Sequence, residues 1–119
     1  AMIARVPLDS GALSGAWTPD TYASWQPGSQ QHTMFRGERF AHTLERVEAL
    51  KEVCAPYYPT LAEAATRFAL SEPGVSTIIP GMRPRERVDE NVAFSDGQPV
   101  PAELKAALGA HGWIRDYYH

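Results

Sequence analysis

Arg83, Arg85 and Arg87 stand two residues apart, and Glu90 and Asn91 follow three and four residues after the last of them. A guanidinium offers forked donors that match a phosphate oxyanion. Positions i, i+3 and i+4 share one face of a helix. Arg87, Glu90 and Asn91 would then form a cation beside an acceptor and an amide. Such a set could grip a phosphorylated nucleotide. The same residues also fit a solvated helix face on which arginines pair with glutamates and bind nothing.

The flanking sequence says what would position them. Val75–Ile79 is a short β-rich run and reads as a buried strand. Pro80-Gly81 stops it, and a helix follows almost at once. A helix start carries free N–H groups and a partial positive charge, which favours phosphate. Upstream, Ile3–Val6 reads as a second strand, and Gly11 and Gly15 follow it in a loop. Glycines there permit close approach of backbone to another group, or mark a plain turn.

Between the strands the chain is mostly helical. Residues 16–37 are rich in Gly, Pro, Ser, Gln and Trp and read as a long excursion, with Trp17, Tyr22 and Trp25 packing it down. Gln30, Gln31, His32 and Thr33 read as solvent contacts. Phe40, Leu44, Val47, Leu50 and Cys54 have helical spacing over about 38–55, with His42 on the surface. Pro56-Tyr57-Tyr58-Pro59 breaks that helix. Thr60-Leu-Ala-Glu63 is a capping box for a second helix reaching about Ser71, with Leu61, Ala64, Ala65 and Phe68 inward. A connector over 94–101 leads to a short helix at 102–109, with Leu104 and Leu108 inward. The tail 113–118 carries several rings and is expected to dock on the body.

The chain has 119 residues, a net charge of −3 and one cysteine. That charge gives no global basic surface for nucleic acid. No apolar run approaches the ~20 residues of a membrane span. A lone Cys54 cannot form an internal disulfide and suits a reducing, cytoplasmic setting. Its place on the apolar face of a helix makes it a core residue rather than a nucleophile. His111 and His119 lack partners at metal-ligand spacing, so no metal site is expected.

The phrase IIPGMRPRERVDEN resembles the last strand-and-helix signature of the aldo-keto reductases. The loop PLDSGALSG after Ile3–Val6 is similar to that family's preceding strand and loop. The resemblance extends from Ile3 to about Tyr118. It implies that Gly81, Met82 and Arg83 contact the ribose bearing the 2′-phosphate of NADP(H). Arg87 would hold the 2′-phosphate, and Glu90 and Asn91 the adenine. Leu8, Ser10, Gly11 and Leu13 would lie along the pyrophosphate, with Asp9 in the same loop. Arg85 has no assigned role. The family often has a basic residue just after the second glycine, where this chain has Ala16.

The fold implied is part of an α/β (β/α)8 TIM barrel: two parallel strands with about four helices. Its parts are a loop at 16–37, a helical pair at 38–71, a strand and cofactor helix at 75–93, and a C-terminal helix and tail at 94–119. A whole barrel needs about 250 residues. The family's catalytic Asp, Tyr, Lys and His belong to earlier segments, and no residue here matches them. The resemblance therefore implies the NADP-binding portion of a carbonyl reductase, with the carbonyl or alcohol substrate met only in the complete enzyme. The alternative is a non-catalytic nucleotide-binding or oligomerisation module. Two parallel strands leave open edges, so the remainder of the barrel or a second copy is the expected partner.

Overall fold

A computed structural model describes residues 1–115. Asp116, Tyr117, Tyr118 and His119 lie outside the described residues, and with them the C-terminal part of the expected docking tail. The described chain runs β1 (Met2–Arg5), a 3-10 turn (Asp9–Ser14), α1 (Thr21–Ser24), α2 (Gln30–Met34), α3 (Glu38–Cys54), α4 (Leu61–Leu70), β2 (Val75–Ile79), α5 (Arg85–Ala93) and α6 (Ala102–Gly109). The fold is mixed α/β, with β1 and β2 parallel. The order strand, helical pair, strand, helix is expected; four α-helices rather than two stand between the strands, and the described residues hold six rather than about four, because the 16–37 excursion winds into α1 and α2.

That excursion is packed rather than loose. Trp17 meets Phe35 and Trp25 edge-on, at centroid separations of 4.8 and 4.9 Å. Tyr22 and Trp25 also face Phe40. Edge-to-face pairs add to the area these rings bury. His32, expected at the solvent, instead stacks on Tyr22 at 5.0 Å, and its carbonyl accepts from the Tyr22 hydroxyl. Ser29 caps α2 by accepting from the His32 N–H.

The core lies between the 3-10 turn, α3, α4 and α6. Phe40, Val47, Leu50 and Cys54 of α3 are buried, as their spacing predicts. Thr43 is fully buried where Leu44 is only partly so, so the stripe is rotated slightly toward position 43. On α4, Ala62 and Thr66 are buried beside Leu61 and Ala64, while Ala65 and Phe68 are half-buried. Half of the predicted capping box forms. Thr60 accepts from the Glu63 N–H at 3.2 Å, but the Glu63 carboxylate takes Arg67 Nε at 2.8 Å instead of reaching back.

Arg67 is a structural hub. Its guanidinium grips Asp96 through two bonds, of 2.6 and 3.0 Å, and lies over the Tyr58 ring. This ties α4 to the connector before α6. The Arg67 pairing first, and the Gln98 N–H second, hold the Asp96 carboxyl down at about 2. An acid whose folded pKa is depressed adds stability above its ordinary pKa and loses it as protons bind the folded form. Thermal stability is therefore expected to drop as pH falls from about 4 to 2, and Asp96→Asn should flatten that part of the profile. An unchanged slope in the variant would assign the acid sensitivity elsewhere.

The predicted burial of Val75–Ile79 does not hold. Ile79 is 53% exposed, and on β1 Ile3 is 61% exposed. Parallel strands are normally covered on both faces and flanked by further strands. Among the described residues each strand has one neighbour, and α4 packs closely on β2. Met2, Val6, Met82 and Val92 are exposed as well.

Candidate functional site

Parallel pairing decides where the two sequence motifs meet. Arg5 pairs with Ile79, so β1 and β2 end side by side. The loop carrying Leu8, Ser10, Gly11 and Leu13 and the turn carrying Gly81, Met82 and Arg83 therefore leave the same edge of the sheet. In α/β folds ligands bind beyond the carboxyl ends of the strands.

At the second motif, residues 80–84 are irregular and α5 begins at Arg85. Gly81, Met82, Arg83 and Arg85 are exposed. A Cβ added at Gly81 would meet open space. Among the described residues Arg83 and Arg85 make no ion pair. Arg87 pairs with Glu90 at 2.8 Å, with both side chains more than 40% exposed. Two positive charges thus stay uncommitted, while the third shares its guanidinium with a neighbour one helical turn on. Asn91 differs from its companions. It is buried, and its amide donates to the Gly81 carbonyl at 3.3 Å. It pins α5 to the strand-ending turn, a role that spacing alone does not reveal.

The first motif is built from unusual backbone. Val6, Asp9 and Ser10 all have positive φ (53°, 50° and 57°), and Gly11 has φ 103°. Non-glycine residues in that region are uncommon, and for a β-branched residue it is an outlier. Such conformations persist where surroundings over-determine them, and they cluster at functional sites. The Leu8 carbonyl accepts from the Gly11 and Leu13 N–H groups, closing the turn. The Ser10 hydroxyl reaches the Met34 sulfur at 3.9 Å. A Cβ on Gly11 would touch the Trp17 ring at 3.4 Å, so the turn rests on the aromatic excursion. Gly15 is left-handed too, with Lys51 of α3 against it. The Lys51 stem thus lies beside the second glycine, with its ammonium paired to Glu48 at 2.6 Å.

Behind this turn lies an apolar cavity of about 370 Å³, lined by Leu13, Leu50, Cys54, Leu61, Phe68 and Leu108 among others. None of Arg83, Arg85 and Arg87 borders it. Burial raises the Cys54 thiol above its ordinary value, which keeps it protonated and unreactive. No group of three or more His, Cys, Asp and Glu able to hold a metal occurs among the described residues. No helix among them is long and apolar enough to cross a membrane.

The sequence reading missed Trp17 as a support of Gly11 and Arg115 as a partner of Asp9. Both are contacts between residues distant in the chain or unrelated by period, so no local pattern marks them.

Comparison with known proteins bears on both motifs. The profile of the Aldo/keto reductase family matches residues 1–108. Pyridoxal 4-dehydrogenase of Microbacterium luteolum is 34% identical over 74 residues, which is 62% of this chain and 21% of that protein. The chain thus spans about a fifth of the length of that relative. No solved structure matches. With the family profile covering both strands, both loops and α5, the chain belongs to the aldo/keto reductase family.

Proposed function

We propose that this chain is the NADP(H)-binding portion of an aldo-keto reductase barrel. The observation that carries this reading is the shared edge of β1 and β2. It sets a glycine loop beside a turn with uncommitted arginines. In this reading Arg87 holds the 2′-phosphate, Gly81, Met82 and Arg83 face the ribose that bears it, and Glu90 and Asn91 flank the adenine. Leu8, Ser10, Gly11 and Leu13 follow the pyrophosphate. Asn91 has its amide on Gly81, so it acts by fixing the turn that faces the ribose. The cofactor supplies the hydride exchange with a carbonyl or alcohol, and this chain's residues bind and orient it.

The chain alone is expected to turn nothing over, since it has no match for the family's catalytic residues. The exposed apolar residues Met2, Ile3, Val6 and Ile79 fit strands that continue into the rest of a barrel. The same open edges favour a second reading, an oligomerisation module that pairs them between copies. That relative acts on pyridoxal by its name, so pyridoxal-like aldehydes or alcohols are the first substrates to try in a complete enzyme.

Calorimetric titration of the purified chain separates the two readings. NADPH and 2′,5′-ADP should both bind, and NADH more weakly. An oligomer that takes up neither 2′-phosphorylated nucleotide would leave the second reading standing.

A further inference from the structure

Arg115 lies far from Asp9 in sequence yet forms an ion pair with it, Nη1 to Oδ2. The two side chains are only 17% and 23% exposed. The same guanidinium sits over the Phe35 ring, 5.3 Å from its centroid, and Phe35 is fully buried. Arg115 therefore joins three segments: the C-terminal tail, the excursion and the strained turn. Asp9 is the first of three consecutive residues with positive φ in that turn. Its N–H bonds the Val6 carbonyl within the turn, and its carboxylate makes the longer-range contact. A backbone in a sparsely populated conformation needs an external hold, and Arg115 supplies one in a partly desolvated place.

We infer that Arg115 is a positioning residue: through Asp9 it latches the turn 9–11 in the shape that receives the dinucleotide pyrophosphate. This rests on the proposed nucleotide reading of the turn. The latch acts at the pyrophosphate and not at the 2′-phosphate, which gives it a signature distinct from that of Arg87. Arg115 holds no part of the ligand itself.

The test uses Arg115→Met, Asp9→Asn, their double variant and Arg115→Lys. Met keeps the stem's packing, and Asn tolerates the left-handed backbone as Asp does. Each single neutralising change should weaken NADPH and NADH by the same factor, about tenfold, since contacting residues couple strongly. The double variant should be no weaker than either single, Arg115→Lys should retain most of the affinity, and 2′-AMP, which lacks both phosphates of the pyrophosphate, should bind unchanged. Additive losses, or equal losses of 2′-AMP, overturn the latch. Hydrogen exchange of the amides of residues 10–15, without nucleotide, tests the latch independently of the nucleotide reading. Faster exchange in both singles, and no faster in the double, supports the latch even if the unmodified chain ignores NADPH. Unchanged exchange removes it.

Discussion

Arg87→Ala in the complete barrel enzyme should weaken NADPH by about 10- to 100-fold and leave NADH within about twofold. A hydrogen bond to a charged group contributes roughly 1.5–3 kcal/mol, and only NADPH carries the 2′-phosphate that Arg87 would meet. The fold should tolerate the change. Arg87 and Glu90 form an exposed i, i+3 pair, 42% and 48% exposed, and such pairs stabilise little. A loss of binding will therefore report the ligand rather than unfolding. Arg87→Lys should recover only part of the affinity, because an ammonium cannot match the planar fork. Equal losses for NADPH and NADH would remove Arg87 from the 2′-phosphate and return it to the role of a surface ion pair.

The largest loss of stability is expected from Phe35→Ala, at about 3–5 kcal/mol, as for other buried aromatic truncations. Phe35 is fully buried, edge-on to Trp17, and beneath the Arg115 guanidinium. Domains are stable by only about 5–15 kcal/mol, so the urea midpoint should shift sharply. The loss should also loosen Gly11, whose missing side chain leaves the space filled by Trp17. Phe35→Leu keeps most of the volume and should cost distinctly less. A shift below about 1 kcal/mol for the alanine variant would mean that the 16–37 excursion contributes little to the core.

These expectations share one geometric fact. The excursion, the strained turn and the tail meet around Phe35, Trp17, Asp9 and Arg115, whereas the arginine-bearing turn, at the same edge of the sheet, keeps Gly81, Met82 and Arg83 exposed. The first group is held by packing and by a half-buried ion pair. The second is tied by polar contacts, the Asn91 amide to the Gly81 carbonyl and the Arg87 N–H to the Pro84 carbonyl. Stability and nucleotide affinity should thus respond to different substitutions.

The sequence by itself determined the elements whose signals are local. Helical period fixed α3, the Thr60 cap opened α4, and Pro80-Gly81 ended β2 and marked the start of the arginine turn. The two motifs that carry the family resemblance were legible for the same reason, since each is a contiguous run. Exposure was not legible. Val75–Ile79 reads as buried because its side chains are apolar, but burial depends on neighbouring elements, and among the described residues β2 pairs with β1 alone. The helices inside 16–37 were hidden because Gly, Pro and Ser are poor helix formers, and ring packing rather than propensity holds them. Only the tertiary structure turned Asn91 inward to Gly81, set Lys51 beside Gly15 and brought Arg115 to Asp9. Each of those contacts depends on where the chain returns in space, which a one-dimensional pattern of polarity and period does not encode.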